Sequence, residues 1–293
     1  MTLRKQLKHG GKLCLHNNWG KAVAIVLLGI AIYLLFTMVE TMISMLLGVP
    51  FYVDVTTSGL VWKGMTNISA VSLVLSLIMT IGSFIVVTPL NLGVTQWYYS
   101  LSEGESEDIL SIFGCFSNRR MFFRSLLLRA NIVVRSLLWA VVYFLIPGLF
   151  LGVSMWYGVN GPDNNAYLLG TMGMIFSFML GILMSVFYMI TIQKYFLARY
   201  YLLDGETSVH QALKMSRRVS RGKREQIFLF KLSYAGWFLT CLLVVPVLYV
   251  FPYYQMSALL YARFLMEEHV RSTQLVPVQP EEEPEIPSEN EEN

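Results

Sequence analysis

The chain has 293 residues, 55% of them hydrophobic and only 14% charged, against roughly 25% charged in an ordinary soluble domain. Its formal charge is +3, and setting aside the seven glutamates of segment 280–293 raises this to +10. The apolar residues lie in blocks too long for a soluble core, and a basic balance with no soluble basic domain argues for anionic membrane lipid and against nucleic acid.

The N-terminal segment carries Arg4, Lys5, Lys8, Lys12 and Lys21. The apolar run behind it is too long for a cleavable signal and lacks a clear cleavage site, so it reads as a retained first span over about 22–47. Further spans are expected at about 68–95, 130–157, 167–196, 227–247 and 252–268. The last is the weakest and contains Arg263. The expected fold is all-α: a polytopic helical membrane bundle of six transmembrane helices occupying residues 1–270. Segment 271–293 is rich in Pro and Glu and buries too little to offset its ordering entropy, so it is expected to be a disordered acidic tail.

The cations alternate between gaps. The second gap holds Arg119, Arg120 and Arg124, and the fourth holds Lys214, Arg217, Arg218, Arg221, Lys223 and Arg224. The first gap holds only Lys63 and the third none. The positive-inside rule then places the N-terminus and the second and fourth gaps in the cytoplasm, and six crossings bring the C-terminus there too. Asn67-Ile68-Ser69 matches a glycosylation pattern but abuts a span, and reads as chance.

The two basic inner gaps resemble each other. Tyr98-Tyr99 is followed by Gly104-Glu105, and 102 residues later Tyr200-Tyr201 is followed by Gly205-Glu206. Each unit continues through an amphipathic interfacial helix and a basic cluster into a span interrupted by Pro147 or Pro246. The order of features predicts a parallel internal pseudo-repeat. In the fourth gap, Ser208 and Gln211 have capping-box spacing. Val209, Ala212, Leu213, Ser216 and Val219 share one helical face and His210, Lys214, Arg217 and Arg218 the other. In the second gap, Ile109, Leu110, Ile112, Phe113 and Phe116 form a stripe, with Glu107 and Asp108 placed for the helix dipole.

Arg120, Arg124, Asn131 and Arg135 lie on one side of the helix leading into the third span, with Arg129 opposite. Two readings stand: a polar stripe facing the bundle, or arginines snorkelling to the interface. Lys194, Arg199 and Lys231 are near enough to the interface for snorkelling. Glu40 is expected at the outer rim. The candidate anionic-lipid contacts are therefore Arg120, Arg124, Arg135, Lys214, Arg217, Arg218, Arg221, Lys223 and Arg224. Cys14, Cys115 and Cys241 have no zinc or CxxC spacing, and no disulfide is expected. No catalytic, phosphate-loop, dinucleotide or metal motif is found, so no catalytic residue, cofactor or metal ligand is expected.

Pro89-Leu90-Asn91-Leu92-Gly93, Tyr98-Tyr99, Ile112-Phe113 with Phe116, and Ile146-Pro147-Gly148 together resemble the bacterial membrane family catalogued as domain of unknown function 975. Ala212-Leu213-Lys214-Met215-Ser216, Gly222-Lys223, Lys231-Leu232-Ser233 and Phe251-Pro252-Tyr253-Tyr254 extend the resemblance over roughly residues 3–269. Val244-Val245-Pro246 departs from the glycine-containing stretch usual there. The resemblance implies a multi-pass protein of the bacterial cytoplasmic membrane and supplies no catalytic residues. The leading expectation is a non-enzymatic protein binding anionic lipid of the cytoplasmic leaflet, a membrane-protein partner or a second copy of itself. The alternatives are a transporter or lipid translocator, and a lipid head-group enzyme using Asp204 or His210.

Overall fold

The computed structural model describes residues 3–48, 55–56, 59–60, 70–105, 107–161, 163–243 and 245–274. The expectations for Lys63, for Asn67-Ile68-Ser69 and for the tail beyond residue 274 fall outside them. The helices are α1 (Leu3–Leu15), α2 (Trp19–Leu46), α3 (Ala70–Ser102), α4 (Gly114–Ser117), α5 (Arg119–Asn160), α6 (Asn164–Ile192), α7 (Ala198–Tyr201), α8 (Val209–Val219), α9 (Arg224–Leu232), α10 (Ala235–Thr240) and α11 (Val247–Gln274). Between α2 and α3, β1 (Val55–Thr56) pairs antiparallel with β2 (Gly59–Leu60), Val55 opposite Leu60. This small hairpin is an addition to the all-α expectation.

Five described stretches are long and apolar enough to cross a bilayer: Trp19–Leu46, Ala70–Ser102, Arg119–Asn160, Asn164–Tyr201 and Arg224–Leu243. The expected sixth span is not among them. Its helix, α11, carries Arg263, Glu267, Glu268 and Arg271 in its second half. One face of it, including Val250, Tyr253, Met256, Leu259 and Leu265, is buried in a protein core, while Tyr249, Phe251, Phe264 and Val270 are exposed. The expected fifth span, 227–247, is not one helix either. It breaks at Ser233-Tyr234 between α9 and α10, and Pro246 stands in the turn before α11. Proline has no N–H to continue the preceding helix and disfavours helical geometry in the residue before it.

The core lies at one end of the bundle, where the basic segments gather; we call this the basic end. α3 shows the gradient along its own length. Leu73, Val74, Leu77 and Ile78 are exposed, whereas Leu90, Leu92, Thr95, Trp97, Tyr98 and Leu101 are buried. Trp97 and Tyr98 join Phe230, Tyr234, Met256, Leu259 and Tyr261 in the main cluster. α1 closes this end. Gly11 packs so tightly on α11 that a Cβ there would lie 2.5 Å from Ser257 Oγ. The Lys8 ammonium donates to the Ser233 carbonyl at 3.0 Å and sits 4.2 Å from the centre of the Tyr234 ring.

Toward the other end α5 and α6 run side by side, and the contact is made of small residues. Gly158 faces Gly170, and Ser154 faces Gly173. Ser177 Oγ donates to the Pro147 carbonyl at 2.6 Å, and the Tyr143 and Thr191 hydroxyls share a hydrogen bond of 2.7 Å. Backbone proximity and interhelical hydrogen bonds are how helices associate where lipid removes the hydrophobic driving force.

The two inner segments have corresponding local geometry. Gly104 and Gly205, after their tyrosine pairs, have φ of 91° and 71°, which glycine adopts without a Cβ penalty. Asp108 and Ser208 follow in extended conformation and cap the next helical turn. The second segment matches its sequence closely. The Ser208–Gln211 capping box forms, and Val209, Ala212, Leu213, Ser216 and Val219 are all buried. Ser216 Oγ reaches the Lys194 carbonyl at 2.8 Å, so α8 lies against the bundle. The first segment departs from expectation. It is a 3-10 turn, Ile109–Phe113, running into the four-residue α4. Of the expected stripe only Ile112 is buried, and Leu110 is 69% exposed. The cause is backbone crowding: a Cβ on Gly93 would lie 1.9 Å from the Ile112 carbonyl oxygen, so the segment is seated through its main chain.

A cation-lined cavity at the basic end

Three helical walls enclose a cavity of about 350 Å³. Each wall presents positions i, i+3, i+4 and i+7, the spacing of one helix face. From α3 these are Thr88, Asn91, Leu92 and Thr95. From α5 they are Ser125, Leu128, Arg129 and Ile132. From the end of α6 and its continuation they are Ile192, Tyr195, Phe196 and Arg199. Lys231 of α9 and Tyr254 of α11 complete the lining. Asn91 and Arg129 are exposed, so the cavity opens on their side.

The lining contains three cations and no carboxylate. Among the described residues neither Arg129, Arg199 nor Lys231 belongs to a salt bridge; the two bridges there join Lys223 to Glu268 at 2.6 Å and Arg263 to Glu103 at 3.7 Å. Lys231 Nζ lies 4.7 Å from the centre of the Phe196 ring, and Arg199 donates to the Tyr200 hydroxyl at 2.5 Å. Ring faces attract cations but leave their N–H donors short of acceptors. Asn91, Thr88, Thr95 and Ser125 add neutral hydrogen-bonding groups, although the Thr95 hydroxyl already donates to the Asn91 carbonyl and that of Ser125 to the Phe122 carbonyl. An oxyanion in the cavity would gain charge-assisted hydrogen bonds from the cations of its lining.

A family model described as a protein of unknown function, DUF975, matches residues 1–269. The chain belongs to the DUF975 family. No curated protein and no solved structure matches it.

None of the nine cations singled out from the sequence lines the cavity. Arg120, Lys214, Arg218 and Arg221 are exposed, and Lys214 and Arg218 flank a shallow depression with Gln211 and Met215. Three others tie the fold together: Arg124 Nη1 donates to the Gly205 carbonyl, Lys223 pairs with Glu268, and Arg217 Nε donates to the Leu213 carbonyl at 3.3 Å. Arg135 and Arg224 are half-buried. The cavity cations are those set aside earlier. Arg129, opposite the arginine stripe, is on the face that meets α3 and α6. Arg199 and Lys231 point into the protein, not out to an interface. The legible signal was that Ser125, Arg129 and Ile132 share a face with Leu128, which the neighbouring arginines obscured.

Lys194 is more deeply buried than any of these, at 6% exposure, with Nζ 3.8 Å from the centre of the Trp139 ring. Asp204, in the turn before α8, has its carboxyl pushed above the usual range by partial burial and then by Glu206. Glu40 accepts from Ser76 Oγ at 2.7 Å in an exposed position toward the other end of α2. Cys14, Cys115 and Cys241 are all free thiols.

Proposed function

We propose that this DUF975 protein is a non-enzymatic multi-pass membrane protein that binds the anionic, phosphate-bearing head group of a lipid in the cavity at its basic end. The observation that carries the reading is that Arg129, Arg199 and Lys231 line one cavity whose lining has no carboxylate. Ionisable groups in or near membrane spans are costly and tend to be retained for function.

Depth supports a head group as occupant. The charge-free part of α5, 136–157, is about 33 Å long at 1.5 Å per residue, close to the roughly 30 Å of a bilayer's hydrocarbon core. Arg129 lies six residues beyond Arg135, about 9 Å further along the helix, where phosphates would be. The positive-inside rule makes this the cytoplasmic leaflet of a bacterial membrane. The exposed face of α8, with Lys214 and Arg218, would rest over the same leaflet.

The last three helices complete the topology. The Lys223–Glu268 bridge joins the entry of α9 to the exit of α11, and Tyr249 stacks on Trp19, the first residue of α2, at 4.9 Å. We read α9 to α11 as a hairpin that enters from the basic side and returns to it, with exposed Leu242, Leu243 and Val245 at its lipid-facing tip. Both ends of the described chain then lie on one side. The matching glycine turns and caps of the two inner segments support an ancestral parallel duplication.

The test is the lipid that co-purifies from mixed membranes. Arg129→Gln/Arg199→Gln/Lys231→Gln should lose the enrichment of anionic over zwitterionic phospholipid seen for the native protein. Equal enrichment in the variant would remove the reading.

A further inference from the structure

Lys231 lines a second concavity as well. On its other side lies an apolar groove of about 570 Å³, walled by Met189 of α6, by Phe228 and Leu232 of α9, and by Ala235, Phe238 and Leu239 of α10. Cavity and groove thus share the Lys231 side chain as their common wall. The groove lies where the chain breaks at Ser233-Tyr234, between α9 and α10. Its one polar lining residue besides Lys231 is Gln193, only 8% exposed. Gln193 Nε2 donates to the Met189 carbonyl at 2.8 Å, while Oε1 is buried with no hydrogen-bond partner.

We propose that cavity and groove are the two halves of one site, which holds a single anionic glycerophospholipid with its phosphate among Arg129, Arg199 and Lys231 and one acyl chain along the groove. The proposal rests on the head-group reading above and adds the class of ligand and the path of its chain. Charge complementarity fixes which end goes where. The cationic cavity has no carboxylate to repel a phosphate, and the groove has no place for an ion except at Lys231. The groove's gain is in orientation more than affinity, since an acyl chain leaves lipid for a wall that is equally apolar.

Two measurements on the full chain test this. Native mass spectrometry after extensive delipidation should find one phosphatidylglycerol retained by the native protein. Ala235→Phe, which fills the groove at an exposed position, should cut that retention at least fivefold while glycerol 3-phosphate still binds as to the native protein. Unchanged lipid retention in Ala235→Phe would overturn the acyl-chain assignment and leave the head-group reading standing. Failure of the native protein to retain anionic lipid or bind glycerol 3-phosphate would overturn both. Independently, phosphatidylglycerol with a photoreactive group at mid-chain should label segment 228–242 of the native protein. Labelling confined to the outer faces of α5 and α6 would likewise overturn the assignment.

Discussion

The two ends of this bundle are held together by different forces. At the basic end, large side chains interlock: Trp97, Tyr98, Phe230, Tyr234 and Met256 are each at most 2% exposed. Toward the other end, α5 and α6 meet through Ser154, Gly158, Gly170 and Gly173, while Leu137, Val141, Leu149 and Val153 face outward. The first arrangement is that of a soluble core and the second that of helices in lipid. Only a packed end can hold polar walls at fixed separations, so the cavity is found there. The other end supplies span length and little else.

The same substitution should therefore have opposite outcomes at the two ends. The largest effect is expected for Gly93→Ala, whose new Cβ would lie 1.9 Å from the Ile112 carbonyl oxygen and 2.8 Å from its carbon. Backbone on both sides must move, and a loss of about 3 kcal/mol or more is expected, read as a collapse of thermal stability in detergent. Gly152→Ala, in the lipid-facing half of α5 with open space around it, should be neutral or stabilising by up to about 1 kcal/mol. Equal destabilisation by both would erase the distinction between the ends.

Gly170→Leu comes next. A side chain there meets Gly158 Cα at 2.5 Å and the Ser154 carbonyl oxygen at 2.8 Å. It should splay α5 from α6, lowering the melting temperature but sparing anionic-lipid enrichment, because the cavity lies toward the opposite end. Loss of lipid selectivity in a folded Gly170→Leu protein would show that the ends are coupled.

Single removal of a cavity cation should be milder for folding and specific for binding. Lys231→Gln is expected to weaken anionic-lipid binding by about 10- to 100-fold, the range of one charge-assisted hydrogen bond of roughly 1.5–3 kcal/mol. The exposed pair Lys214→Gln/Arg218→Gln should act less per residue, at about 1 kcal/mol per cation near an anionic surface, and its effect should fade with added salt. Titration of lipid binding at two ionic strengths separates the two classes.

The smallest effect concerns Asp204. Its raised carboxyl pKa means that folding disfavours the ionised form, so the penalty is present above the folded pKa and absent below the ordinary value. Asp204→Asn should raise the melting temperature slightly at pH 7, with the gain vanishing as the pH falls to about 4.

What the sequence revealed follows the same division. Lipid-facing segments are legible because their environment demands apolar residues on every side, and four of the expected spans correspond to single long helices. α8 was legible because its capping box and its 3.6-residue periodicity agree. The sequence is least legible where protein packing replaces lipid. α11 reads as a weak span because a buried face and a lipid face are both apolar, and periodicity alone does not say which one meets protein. Arg129 was missed for a related reason. A helical wheel groups Arg120, Arg124 and Arg135 correctly, but it contains no neighbour to show which side turns inward. That information resides in long-range contacts such as Gly93 on Ile112 and Gly11 on Ser257.

We propose that Arg129, Arg199 and Lys231, which belong to no salt bridge among the described residues, bind a lipid phosphate at the packed end. This is tested most directly by a structure determined in bilayer discs of mixed zwitterionic and anionic phospholipid. The account predicts phosphate-sized density within hydrogen-bonding reach, roughly 3–4 Å, of Arg129, Arg199 and Lys231. Ordered lipid elsewhere on the surface, with only water among those three side chains, would contradict it.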